Sequence, residues 1–201
     1  MARGPRYNVP FRRKREGKTD YKNRMRLVLS RTPRLVVRPT NKNIIVQLYE
    51  AKSKGDFVIA SSNSNELRKY DWKINFGNVP TAYLTGFIAG FKAVKKGMNK
   101  AVLDTGLNVS SKGSRIYAAL KGALDAGMEI PHGEEILPDM DRIKGKHISD
   151  YAKTMSENTE LYNKYFSKYI AKKLDPQKIP ETFEKTKEKI TQEYSKVKAK
   201  A

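Results

Sequence analysis

The stretch "RLVVRPTNKNIIVQLYEAKSKGDFVIAS", Arg34–Ser61, decides how the rest of the chain reads. Two apolar, β-branched runs, "RLVVRP" and "IIVQLYEA", flank "TNKN" (Thr40–Asn43), whose polar residues tolerate left-handed backbone, so the pair predicts a β-hairpin. "KSKGD" (Lys52–Asp56) is a second turn and "FVIAS" a further strand, which makes a meander.

Toward the C-terminus, "NSNELRKYDW" reads as a polar connection and Pro80 sits where a first helical turn accepts it. The helix "TAYLTGFIAGFKAVKKG" turns Ala82, Leu84, Phe87, Ile88, Phe91 and Val94 toward a core and stops at Gly97 after a cationic last turn. "KAVLDTGL" is a short strand, "NVSSKGS" a loop, "RIYAALKGALDAG" a second amphipathic helix and "MEIPH" a last short strand. Strand, helix, strand and helix after a hairpin predict an α/β domain, a mixed sheet covered by helices. From about Pro138 the composition changes to helices separated by "LDPQKIP". In the last of these, Phe183, Ile190, Tyr194 and Val197 form a stripe too narrow for its own core, so that helix must dock on something. The expected organisation is a basic arm over residues 1–18, an α/β core over 19–137 and a helical region over 138–201.

Charge bounds the partner. The chain carries 41 Lys plus Arg against 21 Asp plus Glu, a net charge of +20, which favours a polyanion. A membrane surface is the weaker choice. The best apolar run, "AYLTGFIAGF", stops at Lys92, short of the ~20 residues a span needs, and the N-terminus lacks the apolar stretch of a secretory signal. Cysteine is absent, which excludes disulfides and cysteine zinc sites and suits a cytoplasmic protein.

Motifs for chemistry fail one by one. "LDTGL" (Leu103–Leu107) holds the Asp-Thr-Gly triplet of aspartic proteases, but no second such triplet exists to share a proton with Asp104. "SSKGS" (Ser110–Ser114) precedes a helix, where free N–H groups attract anions, yet it lacks the P-loop spacing. It is either a capped loop or a contact to RNA phosphate through Lys112 and Arg115. "PHGEE" (Pro131–Glu135) lacks the spacing of established zinc sites. No catalytic residue, metal or cofactor is therefore expected.

The N-terminal stretch differs. From Met1 to Arg26 there are ten basic residues against Glu16 and Asp20, interleaved with Tyr7, Phe11 and Tyr21. Guanidinium groups fork onto phosphate, aromatic rings offer faces to unstacked bases, and Gly4, Pro5, Pro10 and Gly17 bias residues 1–18 toward an extended path. Thr19 then offers an N-cap for a helix with one packing and one charged face.

The blocks "GPRYNVPFRRKREGKTDYKNR", "RLVVRPTNKNIIVQ", "NVPTAYLTGFIAG", "AVLDTGL" and "GSRIYAALKGALDAGMEIPHGEEILP" together resemble the archaeal and eukaryotic branch of large-subunit ribosomal protein eighteen, called protein five in eukaryotes. The resemblance runs from about Ala2 to Pro138. It implies a three-layer mixed-sheet domain of ribonuclease H-like architecture. It implies a structural role in the large ribosomal subunit, binding 5S rRNA, meeting large-subunit rRNA and ribosomal protein five of the bacterial and archaeal naming, and helping anchor the 5S particle in the central protuberance. It carries RNA contact onto Arg3, Arg6, Tyr7, Phe11, Arg12, Arg13, Lys14, Arg15, Lys18, Tyr21, Lys22 and Arg24, and more weakly onto Lys112, Ser114 and Arg115. The rival readings are a nucleic-acid-processing enzyme on a nuclease-like fold, which would need Asp104, and a non-specific cationic binder.

Overall fold

In the computed structural model, which describes residues 4–198, the hairpin forms as its turn predicts. Strand β1 (Arg34–Pro39) pairs antiparallel with β2 (Ile44–Lys52), with Val37 opposite Val46. The Thr40 hydroxyl closes the turn by donating to the Asn43 carbonyl at 2.7 Å and accepting from the Asn43 N–H at 2.9 Å. β3 (Gly55–Asn63) adds antiparallel to β2 with a bulge beside Leu48 and Tyr49, and β4 (Val102–Asp104) adds parallel to β1. The four-stranded sheet runs β3-β2-β1-β4 and is mixed, as expected. Strand alternation sends Leu35, Val37, Ile44, Val46 and Leu48 to a dry face and Arg34, Val36, Arg38, Gln47 and Tyr49 to the other. At "MEIPH" no strand forms: Glu129 makes one parallel bridge to Lys100, and Pro131, without an N–H, cannot extend the ladder.

Ahead of the sheet lie α1 (Arg12–Arg15) and α2 (Tyr21–Leu29). The arm is thus not extended throughout. Arg and Lys are good helix formers, and a single turn closes before Gly17 takes a left-handed φ of 60° and the Lys18 N–H reaches back to the Arg13 carbonyl at 2.8 Å. Asp20, not Thr19, caps α2, its carboxylate accepting from the N–H groups of Lys22 and Asn23 at 3.0 and 3.2 Å. The expected apolar face of α2 packs only in part: Tyr21 and Val28 are half-buried, whereas Met25 and Leu29 stay 64% and 70% exposed. Charge supplies the rest of its attachment.

"NSNELRKYDW" is more than a connection. Asn63 and Glu66 form a capping box that starts a 3-10 helix, Ser64–Tyr70, and this turn sends Leu67, Tyr70 and Trp72 into the core. The Trp72 indole N–H donates to the Thr81 hydroxyl at 3.0 Å.

α3 (Val79–Lys95), capped by Asn78, is buried continuously from Pro80 to Gly90 rather than along one face. It has neighbours on several sides: β2 and β3 of the sheet, α4 (Arg115–Asp125) and the C-terminal helices. The α3–α4 approach depends on glycine. A Cβ on Gly86 would stand 1.9 Å from the Ala119 carbonyl oxygen, and one on Gly122 would stand 2.1 Å from that of Tyr83.

Beyond Pro138 follow α5 (Met140–Lys144), α6 (Lys146–Met155), α7 (Thr159–Tyr165), α8 (Ser167–Ala171) and α9 (Ile179–Lys198). The segment expected as one helix, "ENTELYNKYFSKYIAKK", breaks at Phe166, which turns inward. α9 docks on α3: Phe183 meets Tyr83 with ring centroids 5.5 Å apart, Tyr194 stacks on Phe91 at 5.2 Å, and Ile190 is fully buried. The Val197 side chain lies outside the described ones.

Candidate nucleic-acid interface

The outer face of the sheet carries charge where its inner face carries aliphatic side chains. Arg34, only 3% exposed, extends from β1 and donates through Nη1 to Asp104 Oδ2 of β4 at 3.0 Å and through Nη2 to Asp56 Oδ2 of β3 at 2.7 Å. Asp56 also receives a fork from α2, with Arg24 Nη1 at 2.8 Å and Nη2 at 3.0 Å. Two cations and two carboxylates from three strands and a helix thus form one balanced network. Burial alone would push the Asp56 carboxyl up, but hydrogen bonds from Arg24 and Arg34 outweigh it and hold the group below the usual carboxylate range. The Asp56 fork in turn raises the Arg24 guanidinium against the opposing cost of burial.

This network pins the polar side of α2 over the sheet and leaves a cleft of about 730 Å³ between them. Val36, Arg38 and Tyr49 supply the sheet side, Arg13, Lys18 and Tyr21 the arm side, and the loop Thr105–Asn108 one end. Arg38 is exposed and its guanidinium carbon lies 6.0 Å from the Tyr49 ring centroid, an arrangement that presents a cation beside an aromatic face. Neither residue was selected from sequence. Only the pairing of β1 with β2 turns both to this face.

Of the residues carried over, Arg3 lies outside the described ones. Arg6, Lys14, Arg15 and Lys22 are exposed and have no acidic partner within salt-bridge distance among the described residues. Arg12 and Lys18 share Glu16 at 3.6 and 2.8 Å, and Arg13 Nε donates to the Thr19 hydroxyl at 2.9 Å. Phe11, 72% exposed, rests against Tyr21 with centroids 5.2 Å apart, and Tyr7 is 46% exposed. Arg24 is placed differently, with both terminal nitrogens committed to Asp56.

The second group stays apart from the cleft. Arg115 is turned inward, donating through Nη1 to the carbonyls of Thr40 and Gly77 at 2.9 Å each, so it clamps the β1–β2 turn to the segment before α3. Ser114 occupies the N-cap position of α4 without capping it, and its hydroxyl is buried with no partner. Only Lys112 remains at the surface, 3.2 Å from Glu135.

Asp104 is occupied on both oxygens, by Arg34 and by the Gly106 N–H at 2.9 Å, so it serves as an anchor for β1 and for its own turn. His132 Nδ1 lies 2.7 Å from the Ile130 carbonyl oxygen, and no cluster of metal-ligating side chains occurs among the described residues. What the surface can do chemically is neutralise phosphate and stack against bases.

A mixed-sheet domain with a basic, aromatic arm is the form of protein built to lie on nucleic acid, and comparison narrows this class. Residues 5–99 and 92–133 match the family described as ribosomal large subunit proteins 60S L5, and 50S L18, and the chain belongs to that family. A large ribosomal subunit protein uL18 from Aeropyrum pernix is 54% identical over 169 residues, covering 83% of this chain and 79% of the relative. The protein of the same name from Thermofilum pendens is 53% identical over 168 residues, 83% of this chain and 86% of the relative, and that from Korarchaeum cryptofilum is 54% identical over 165 residues, 82% and 85%. The resemblance read from the sequence is borne out. The chain is a ribosomal protein of the large subunit, and its place is the ribosome in the cytoplasm. Among the described residues no helix is long and apolar enough to cross a membrane.

Proposed function

We propose that the chain is a structural, non-enzymatic constituent that binds 5S rRNA and helps anchor the 5S particle in the central protuberance, where it meets large-subunit rRNA and ribosomal protein five. The likeness to a ribonuclease H-like architecture concerns fold alone. The observation that carries the reading is the sorting of the arm: Arg6, Lys14, Arg15 and Lys22 are exposed without an acidic partner among the described residues, on the same segment as exposed Tyr7 and Phe11, while Arg13, Lys18 and Tyr21 line the cleft with Arg38 and Tyr49. Phosphate neutralisation supplies affinity, and stacking on the rings and guanidinium planes supplies selection for looped or bulged RNA.

The test is 5S rRNA binding by a variant lacking residues 1–18, titrated at several salt concentrations. Each lost phosphate contact flattens the slope of log K against log salt by roughly 0.9, so the truncated protein binds more weakly with a shallower slope. Equal affinity at physiological salt would make the arm a tail without function in binding.

A further inference from the structure

A second aromatic and basic surface lies in the C-terminal helices, beyond residues 5–133 that the family match covers. Phe166 is buried and serves as a hub: Tyr162 packs on it at 5.1 Å, Tyr169 at 5.7 Å and Tyr151 at 6.1 Å between centroids. Tyr165, the residue before it, is not buried with it. It is 58% exposed and held edge-to-face by Tyr151 at 6.2 Å and 69°. Its ring is thus oriented by the protein while most of it stays open to solvent, so stacking a planar ligand there costs little side-chain entropy. Lys164 and Lys168 flank it on α7 and α8, both exposed and neither within salt-bridge distance of an acidic side chain among the described residues. Ordinary core packing accounts for Phe166 but not for an oriented, open tyrosine between unpaired lysines.

We infer that Tyr165, with Lys164 and Lys168, forms a stacking platform for an unpaired rRNA base, distinct from the arm and cleft. No residue of α7 or α8 lines the cleft; α7 packs on α6, and α6 on α9. The charge favours RNA over a protein partner: from Lys164 to Lys173 the chain carries Lys164, Lys168, Lys172 and Lys173 and no acidic residue. The inference rests on the ribosomal reading but not on the arm.

The test measures full-length protein against a fluorescein-labelled single-stranded RNA of about a dozen nucleotides, a length within the usual footprint of stacking surfaces. Tyr165→Ala weakens binding about tenfold with the salt slope unchanged, because a stacked base releases no counterion, and Tyr165→Phe stays within about twofold of wild type. The same fold loss appears in an Arg13→Glu background if the two surfaces act independently. If Arg13→Glu has no effect while Tyr165→Ala does, the arm reading fails and the platform stands. Wild-type affinity in Tyr165→Ala overturns the platform. Ultraviolet cross-linking of intact large subunits gives an independent readout: a nucleotide adduct on Tyr165 or Tyr151 supports it. Cross-links from Lys164 and Lys168 only to a neighbouring protein, with no nucleotide adduct, overturn it.

Discussion

Arg24 is the residue on which sequence and geometry part most sharply, and its substitution separates two roles. If it is an anchor, Arg24→Ala breaks the fork to Asp56, whose side chain is 20% exposed while that of Arg24 is 39% exposed. Fully exposed pairs contribute about 0.2–1 kcal/mol, and breaking a fully buried pair costs about 3–5 kcal/mol. This pair lies between, so a loss of about 1–2 kcal/mol is expected, or roughly 2–8 °C in Tm for a chain of this size. Asp56→Ala does more. It also strips one of two carboxylates from Arg34, which is 3% exposed and then keeps only Asp104, so the loss rises to about 3 kcal/mol. Thermal or urea unfolding of the two single variants and the double variant gives the coupling directly, expected near 1 kcal/mol. Titration of 5S rRNA against salt completes the test. An anchor leaves the slope of log K against log salt as it was, whereas a lost phosphate contact flattens it by about one. Arg24→Ala with wild-type stability and a flattened slope would refute the anchor.

Other consequences follow from the same contacts. Gly86→Ala places a methyl against the Ala119 carbonyl and must drive α3 and α4 apart, so a loss of ~3 kcal/mol or more in unfolding free energy is expected; a neutral result would mean the helices are not so closely apposed. Asp56 is held below its ordinary pKa, so its stabilisation is complete above the unfolded value of 3.8 and disappears as pH falls through the lower folded value. The stability gap between wild type and Asp56→Asn therefore closes below about pH 4 and stays constant above about pH 5. Arg38→Ala should weaken 5S rRNA binding and flatten the salt slope by about one without lowering Tm, because Arg38 is exposed and its guanidinium has no ion-pair partner among the described residues. Added monovalent salt should raise the Tm of the free protein while weakening its RNA complex, since screening relieves repulsion among 41 basic residues; a falling Tm would show that surface ion pairs dominate instead.

The sheet was legible in the sequence because its signals are local: apolar, β-branched runs flank the polar turn Thr40–Asn43, and only the register then assigns Leu35, Val37, Ile44, Val46 and Leu48 to the buried face. The helices after it were legible as helices, but not in their depth. The periodicity of α3 shows one apolar face, and only the arrival of α4 and α9 explains burial from Pro80 to Gly90. Gly86, Gly90 and Gly122 make the close approach of α3 and α4 possible, but nothing local to either helix says which backbone each glycine meets. Leu67, Tyr70 and Trp72 were hidden by their polar neighbours and by a spacing that suits neither strand nor α-helix. The site was half legible. Density of Arg and aromatics marks the arm, but whether a given cation is free or paired depends on partners far away in sequence. Arg24 meets Asp56 across 32 positions, and Arg115 meets Thr40 across 75.

On the proposed reading, this separation of free from paired cations turns a basic composition into a positioned RNA-binding surface. Had Arg24 and Arg34 been free, they would add to the repulsion that a net charge of +20 already imposes, and α2, whose Met25 and Leu29 face outward, would keep only half-buried apolar contacts. Spending Asp56 and Asp104 on these two arginines instead fixes the helix that carries the arm, at the edge of the cleft where Arg38 and Tyr49 lie. The arm then leaves the domain from a defined point and in a defined direction, so less of its conformational freedom remains to be lost when it orders on RNA. On the proposed reading, the acidic residues of the outer sheet face contribute to RNA affinity without touching RNA, by choosing which cations remain available to it.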